Sequence, residues 1–218
     1  LGAATVTDDV ESEVISRGDV SGITDSQIEA ELVKMRGTIM QRPSSVSAVK
    51  VDGERAYDRV RAGESVELAS REVTISQLDI TAIRRIENAI EVDIEVTCSA
   101  GTFIRAIARD CGDALAVGGH LNALRRTRVA GFGLDKAISL TSLKAGEFAT
   151  LPLVEVARTT FTARELALEE VNELSFGRPL SPNPDEAIYA AISGQELIAL
   201  LCNKDALAKP IAVFAAAN

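Results

Sequence analysis

The clearest pattern in the chain is a strict alternation of apolar and polar positions in AIEVDIEVTCS (89–99). Apolar or cysteine side chains occupy the even positions from 90 to 98, and acidic or hydroxyl side chains occupy the odd positions between them. A period of two predicts a strand with an apolar face on a core and an acidic face in water. REVTISQLDITAI (71–83) predicts a second strand.

Two longer segments have the helical period instead. TDSQIEAELVKMRG (24–37) begins with a capping box made by Thr24 and Gln27, and it ends at Gly37. GTFIRAIARDCGDALAVGG (101–119) predicts a helix that opens at about residue 102 and stops at its paired glycines. We therefore expect helices packed beside a β-sheet.

The later part of the chain predicts shorter elements. HLNALRRTRVAGF (120–132) predicts extended structure, and SLTSLKAGEF (139–148) predicts a short helix. TARELALEEVNELSFG (162–177) predicts a capped helix, and three short apolar segments after it predict strands. The chain as a whole predicts an α+β fold with two domains, 1–150 and 151–218.

The charged residues are unevenly distributed in this chain of 218 residues and net charge −9. Lys34 to Arg61 holds seven basic and three acidic residues, and residues 98–136 hold six and three, whereas residues 1–33 hold one and eight. A polyanion would be attracted to the two basic regions and repelled elsewhere. Ordinary solvated faces would give the same counts, so charge alone leaves both interpretations open. Residues 41–63 predict a long loop or a short helical hairpin.

Two groups of arginines are candidates for chemistry. Arg105 lies in the first turn of the helix 101–119, where a guanidinium is unfavourable beside the positive end of the helix dipole. Such a position makes sense if an anion is held there; alternatively, the side chain points into solvent. Arg125, Arg126 and Arg128 on a strand would suit a row of phosphates, or would keep an exposed edge strand soluble.

Composition excludes several classes of protein. No apolar run is long enough to span a bilayer, and no signal-peptide pattern opens the chain. The three cysteines are far apart and His120 is the single histidine, so we expect a reducing cytoplasm, no disulfide and no metal site. We expect His120 to be structural or to contact RNA. The chain opens at Leu1, which we interpret as processing or truncation.

Three segments, in this order and spacing, resemble the bacterial tRNA pseudouridine synthase B (TruB) family: QRPSSVSAVKVDGERAYDRVRAG, CSAGTFIRAIARDCGDALAVGGH and LRRTRV. The opening LGAATVTDD resembles the stretch just after the family's second motif. The tail from about residue 151 is similar to the small PUA-like domain of actinobacterial members. The resemblance implies a mixed or antiparallel sheet core of pseudouridine-synthase type with flanking helices, plus a PUA-like helix-and-β domain.

The resemblance also implies a function. Members of the family convert uridine 55 in the T-loop of tRNA to pseudouridine. They flip the base into a cleft, break its C–N glycosidic bond, turn it and rejoin it through carbon. No metal or organic cofactor is implied, the expected partner is the T-arm of tRNA, and we expect a cytoplasmic monomer.

The resemblance implies site residues position by position. Arg105 matches the arginine that pairs with the family's catalytic aspartate, and Leu124 matches an apolar residue of the base pocket. Phe103 stands beside the flipped base, where most members have a tyrosine. Residues 41–63 match an RNA-clamping insertion. The implied RNA-binding residues are Lys50, Arg55, Tyr57 and Arg61 in this insertion, together with His120, Arg125, Arg126 and Arg128.

The chain departs from the family pattern in two ways. Phe103 has no phenol hydroxyl, so a contact with the base carries over and proton transfer does not. In the family, a nucleophilic aspartate in a Gly-Thr-Leu-Asp stretch and a base-stacking tyrosine precede LGAATVTDD, and residues 1–218 contain neither. Asp8 and Asp9 are expected to form a different, non-catalytic acidic site. We therefore expect an inactive fragment of an enzyme; the alternatives are a non-catalytic module that binds or folds tRNA, and a domain that binds an acidic protein.

Overall fold

The computed structural model describes residues 1–44, 68–184 and 187–215, and the backbone alone of 50–51 and 54–55. The chain forms two compact units, Leu1–Leu124 and Arg125–Asn218. The sequence placed a domain boundary near residue 151 instead, and the independence of a domain that begins there stays a prediction. None of the helices in the described ranges is long and apolar enough to cross a membrane.

The first unit is built on a three-stranded antiparallel sheet with a hairpin and two helices. The order of its main sheet is β3-β6-β7, and β1 pairs with β2 in the hairpin. Its elements are β1 (Ala3–Thr5), β2 (Val14–Arg17), α1 (Asp25–Val33), β3 (Gly37–Gln41), β4 (Lys50–Val51), β5 (Glu54–Arg55), β6 (Arg71–Ile86), β7 (Ala89–Cys98) and α2 (Ile104–Ala114).

The two strands and two helices that the sequence predicts in this unit are confirmed. The capping box at the start of α1 is present, since the Thr24 hydroxyl accepts from the Gln27 amide and the Gln27 side chain accepts from the Thr24 amide. The apolar faces of α1, β6, β7 and α2 meet in one core. Its buried residues are Val20, Ile28, Leu32, Ile75, Leu78, Ile90, Ile107, Cys111 and Val117.

The segment 41–63 departs from both predicted alternatives where the structure describes it. Lys50–Val51 pairs with Glu54–Arg55 as two short antiparallel strands, which the sequence pattern did not predict. The described residues do not include Tyr57 or Arg61. They include the backbone, but not the side chains, of Lys50 and Arg55.

Glycines bring the loop after α2 into direct contact with that helix. A Cβ on Gly112 would overlap the backbone of Gly118 and Gly119, and a Cβ on Gly119 would overlap the carbonyl of Ala108. The loop in turn lies against β1, because the amide of Gly2 donates to the carbonyl of Gly118 at 3.0 Å. These close approaches fix the distance between α2 and the β1–β2 hairpin, which carries Asp8 and Asp9.

The second unit contains a four-stranded sheet of order β10-β11-β12-β13, in which only the β10–β11 pairing is parallel. Two helices cover it with apolar side chains such as Val154 and Leu174. Its elements are β8 (Arg128–Val129), β9 (Phe132–Gly133), a 3-10 turn (Leu134–Lys136), α3 (Leu140–Ala145), α4 (Leu153–Thr160), β10 (Thr162–Glu165), α5 (Leu168–Ser175), β11 (Tyr189–Ser193), β12 (Glu196–Lys204) and β13 (Leu207–Val213).

Two predictions for this unit were wrong in part. The helix predicted over 162–177 is divided: Thr162–Glu165 forms β10, which pairs with β11, and α5 begins only at Leu168. Tertiary pairing therefore overrides the apparent cap, and the Glu170 side chain accepts from the Ala167 amide instead. The extended segment 120–132 contains regular strand only from residue 128.

The glycine contacts predict a large effect of one added methyl group. Gly112→Ala should lower the free energy of unfolding by about 1–3 kcal/mol, because the new Cβ overlaps backbone atoms that cannot rotate away. Gly22→Ala is the matched control, since a Cβ there meets nothing within 4 Å. Urea denaturation of both variants measures the difference, and equal stabilities would contradict the close packing of this loop on α2.

Candidate functional site

Arg105 lies in the first turn of α2, and its guanidinium forms an ion pair with Asp9. Nε of Arg105 is 2.8 Å from Oδ2 of Asp9, and the two side chains are 38% and 15% exposed. The anion that the sequence predicts beside Arg105 is thus a carboxylate of the described chain. Asp9 is expected in a different, non-catalytic acidic site; it contacts Arg105 directly, and its non-catalytic role stays a prediction.

Backbone hydrogen bonds hold the turn that carries Asp8 and Asp9. The Thr5 hydroxyl donates to the carbonyl of Asp9 at 2.9 Å, and the amide of Leu121 donates to the carbonyl of Asp8 at 2.9 Å. The amide of Val10 donates back to the carbonyl of Leu121. Asp8 has a positive φ of 57°, a left-handed conformation that aspartate tolerates better than most residues. The carboxylates therefore project from a turn of defined shape.

Arg109 lies one helical turn further along α2 and binds the second carboxylate of this turn. It is 8% exposed, and its Nη1 is 3.1 Å from Oδ2 of Asp8. Its Nε donates to Oδ1 of Asp110 at 2.8 Å, and its Nη2 donates to the carbonyl of Arg42 at 2.7 Å. Nη1 also approaches the carbonyl of Pro43 at 3.4 Å. Two aspartate–arginine pairs therefore stand side by side between one turn and one helix face.

Phe103 is held in position by the end of β3 and by an arginine from β6. The buried Gln41 side chain donates to the carbonyl of Phe103 at 3.0 Å and accepts from its amide at 2.8 Å. The guanidinium of Arg71 lies 4.5 Å from the centre of the Phe103 ring and also donates to the carbonyl of Gly101. A cation over an aromatic face is attractive, so the ring is fixed on one side.

The structure gives different surroundings to the other predicted site residues of the first unit. His120 is partly buried, and its Nδ1 donates to the carbonyl of Ala3 at 2.9 Å, whereas its Nε2 bonds to none of the described residues. Leu124 is 59% exposed at the end of the unit and packs in no apolar cluster of the described residues. The predicted place of Leu124 in a base pocket stays a prediction.

Three of the arginines predicted to bind RNA belong to the second unit. Arg125, Arg126 and Arg128 are all exposed, and Nη1 of Arg128 donates to the carbonyl of Ala130 at 3.1 Å. Only Arg128 lies on a strand, so the argument that Arg126 and Arg128 share a strand face does not hold. Within the described ranges, neither Arg125 nor Arg126 forms an ion pair, and their binding to RNA stays a prediction.

Sequence reasoning missed Asp9, Arg109 and the side chain of Gln41 as parts of this site. A signal for the first two was present: the aspartates are adjacent, and Arg105 and Arg109 are four residues apart on a predicted helix, hence on one face. Nothing in the sequence indicates that the turn and the helix meet, because more than ninety residues separate them.

Burial changes the ionisation of two neighbouring groups on α2. The pKa of the Asp110 carboxyl is raised above its ordinary value of 3.8 by desolvation, which the adjacent Arg109 only partly offsets. Burial likewise raises the pKa of the Cys111 thiol to about 11, so this thiol is protonated at neutral pH. No group of three His, Cys, Asp or Glu side chains in the described parts of the chain is placed to hold a metal ion.

Three family models match consecutive parts of the chain. Residues 1–104 match the model described as "TruB family pseudouridylate synthase (N terminal domain)". Residues 105–151 match "tRNA pseudouridylate synthase B C-terminal domain", and residues 161–215 match "tRNA Pseudouridine synthase II, C terminal". Together these matches cover nearly the whole sequence.

Curated relatives agree with these matches. The chain is 49% identical over 220 residues to "tRNA pseudouridine synthase B" of Mycobacteroides abscessus, with 100% of this chain and 74% of the relative covered. It is 46% identical over 230 residues to the protein of the same name from an Arthrobacter species, covering 100% and 75%. The corresponding Corynebacterium diphtheriae protein is 46% identical over 195 residues, covering 88% and 65%.

One solved structure is similar in fold. A chain from the "Crystal Structure of a Cbf5-Nop10-Gar1 Complex" superposes with a TM-score of 0.64 at 20% sequence identity. The alignment covers 90% of this chain, which spans 64% of that chain. At this identity the similarity establishes the fold, and it confirms the predicted α+β architecture with antiparallel sheets.

The raised pKa of Asp110 predicts a dependence of stability on pH. A carboxyl with a higher pKa in the folded state lowers the free energy of unfolding as pH rises from 3.8 through that higher pKa. Asp110→Asn should remove this decrease. Urea denaturation between about pH 4 and pH 7 measures the free energy of unfolding of Asp110→Asn and of wild type. Glu95→Gln, which removes an exposed carboxylate on β7, is the control variant. Parallel pH profiles for Asp110→Asn and wild type would contradict the desolvation of Asp110.

Proposed function

Because the chain belongs to the TruB family of tRNA pseudouridine synthases, we propose that its gene product isomerises uridine 55 in the T-loop of tRNA to pseudouridine. The observation that carries the proposal is the ion pair at the start of α2, on the position that the family resemblance gives to its catalytic arginine. The reaction requires the C–N glycosidic bond of a flipped uridine to be broken and a C–C bond to be formed to the same base. No cofactor is part of the proposal.

The role proposed for Arg105 follows from which nitrogens of its guanidinium already contact a carboxylate. Asp9 binds the Nε side of the guanidinium, and no other described residue forms an ion pair with Arg105. With a 38% exposed side chain, the Nη edge is available to a second carboxylate. We propose that this second carboxylate is the family's nucleophilic aspartate, which Arg105 keeps ionised and aimed at the ribose.

Phe103 is proposed to contact the flipped base. Gln41 fixes its backbone on both sides and Arg71 covers one face of its ring, so the opposite face is the one proposed to meet a base. Stacking on an aromatic face stabilises an unstacked base by about 1–3 kcal/mol. A phenylalanine supplies this contact without a hydroxyl, so proton transfer is proposed for another group.

Binding to the tRNA backbone is proposed for the exposed basic residues. Arg126 and Arg128 are exposed in the second unit, and each can neutralise a phosphate without losing an ion pair to any of the described residues. Lys50, Arg55, Tyr57 and Arg61 are proposed for the same role from the resemblance alone. The Nε2 edge of His120 is the part of that side chain proposed to face RNA. The T-arm as the bound element, a monomeric state and a cytoplasmic location remain predictions.

A non-catalytic tRNA-binding module is the second candidate, and the exposed Arg125, Arg126 and Arg128 favour it, because binding to phosphates needs no active site. Residues 1–218 contain no Gly-Thr-Leu-Asp stretch, so we expect a polypeptide of these residues alone to form no pseudouridine. The full-length gene product decides between the candidates, because an enzyme converts unmodified tRNA and a binding module does not. Pseudouridine formation by residues 1–218 alone would contradict the need for that aspartate.

Replacing Arg105 tests its catalytic role. Arg105→Lys keeps the charge but loses the planar fork that holds two carboxylates in fixed directions, so the single-turnover rate of the full-length protein should fall on the order of 10²-fold. The dissociation constant of tRNA should change little, since the interaction is made mainly in the transition state. Arg85→Lys, at an exposed ion pair with Asp25, is the matched control and should leave both quantities unchanged. A loss of affinity with a normal bound-state rate would place Arg105 among the phosphate contacts.

The salt dependence of tRNA binding tests the phosphate contacts. Arg126→Ala and Arg128→Ala should each lower the magnitude of the slope of log K against log salt by about one unit, because each variant releases one counterion fewer on binding. Arg178→Ala removes another exposed arginine of the second unit, one that lies over the Phe176 ring, and should leave the slope unchanged. Unchanged slopes in both test variants would reject these two residues as phosphate contacts.

A further inference from the structure

Arg109 is the most buried arginine of the described first unit, and its guanidinium connects three parts of the chain. It binds the side chain of Asp8 in the β1–β2 turn and the carbonyls of Arg42 and Pro43 at the end of β3. It also binds Asp110 on its own helix. A flexible lysine has one nitrogen and could satisfy only part of this set, whereas the planar guanidinium reaches all of it in one geometry.

The contact with Asp8 bears directly on the neighbouring ion pair. Asp8 and Asp9 are consecutive residues of one turn, so the position of the Asp9 carboxylate follows the backbone of Asp8. That backbone is left-handed, with φ at 57°, and its carbonyl accepts from the amide of Leu121. Aspartate tolerates this conformation, and the backbone hydrogen bonds between the turn and Leu121 support it. The buried Arg109 adds the contact that fixes the Asp8 side chain.

The contact with β3 links the turn to the other side of the site. Gln41, the last residue of β3, binds the backbone of Phe103 at the start of α2, and Arg109 binds the next two carbonyls. The same guanidinium therefore sets the end of β3 and the aspartate turn against one helix. The aspartate turn carries Asp9, which pairs with Arg105, and the end of β3 carries Gln41, which binds the backbone of Phe103.

We propose that Arg109 is a positioning residue for pseudouridine formation, which fixes Asp8 so that Asp9 meets the Nε edge of Arg105. The expected effect on the reaction rate rests on the proposed function. The expected effect on the aspartate turn does not depend on it. Arg109 contacts neither base nor ribose in this account. It acts through the Asp9–Arg105 pair, and its loss should have no effect once that pair is already broken.

The first test measures the turn itself by hydrogen exchange in the full-length protein. The amides of Val10 and Leu121 report the turn because they bond to the carbonyls of Leu121 and Asp8. In Arg109→Lys they should exchange at least about tenfold faster, the size expected for losing hydrogen bonds to a buried charge. The amides of β6 and β7 should not change.

The matched control is Arg164→Lys in the second unit. Arg164 has a 16% exposed side chain that pairs with Glu170 and donates to the carbonyl of Ser181 at 2.7 Å, so it loses comparable bonds away from this turn. It should leave exchange at Val10 and Leu121, and the reaction rate, unchanged. Asp8→Asn is a second test variant in case Arg109→Lys does not fold, because asparagine tolerates the left-handed backbone and removes only the charge.

The second test separates positioning from a general loss of stability. Arg109→Lys should lower the single-turnover rate with saturating tRNA by about 10- to 10²-fold, with little change in the tRNA dissociation constant. The double variant Asp9→Asn/Arg109→Lys should be no slower than Asp9→Asn alone, because both changes break the same pair. If Arg109 served only the stability of the fold, the rate reductions of the two single changes would multiply in the double variant.

The outcomes are distinct. Unchanged exchange at Val10 and Leu121 in both Arg109→Lys and Asp8→Asn would overturn the proposal, as would rate effects that multiply in the double variant. If the wild-type protein forms no pseudouridine, the proposed function fails, and the exchange measurement still decides whether Arg109 holds the aspartate turn.

Discussion

The site depends on one arrangement: two consecutive carboxylates on a turn face two arginines one helical turn apart. Asp9 meets Arg105 at 2.8 Å and Asp8 meets Arg109 at 3.1 Å, so the β1–β2 turn and the face of α2 fit in a single register. The two arginines of these contacts differ in their exposure to solvent. Arg109 is enclosed, whereas Arg105 is 38% exposed, so an edge of its guanidinium can be reached from solvent. The same helix thus supplies one buried arginine and one partly exposed arginine to the aspartate turn.

The close packing of glycines makes this arrangement possible. Gly112 and Gly119 allow the loop after α2 to lie on the helix itself, and Gly118 brings that loop onto β1. With any larger side chain at these positions the hairpin would stand further from the helix. An ion pair at hydrogen-bond distance would then become two separately solvated charges, which are worth little at a protein surface.

The sequence predicted the elements of the first unit well and the contacts between them poorly. The alternation in β7 and the capping box of α1 are local patterns, so they survive in any fold that buries the same faces. The helix predicted from Thr162 was divided because pairing with Tyr189–Ser193 makes Thr162–Glu165 a strand, and this partner lies outside the local sequence window. The Asp9–Arg105 contact was missed for the same reason. The resemblance indicated Arg105, but only the fold brings Asp9 to it.

In the proposed mechanism, Asp9 holds the guanidinium of Arg105 so that another edge of this group can face the catalytic carboxylate. The most direct test is the single-turnover rate of pseudouridine formation in unmodified tRNA by the full-length protein with Asp9→Asn. This substitution keeps the size of the side chain and removes its charge. We predict a rate at least about tenfold lower, with the tRNA dissociation constant nearly unchanged. A wild-type rate in Asp9→Asn would contradict the account, because Arg105 would then be aimed without its partner.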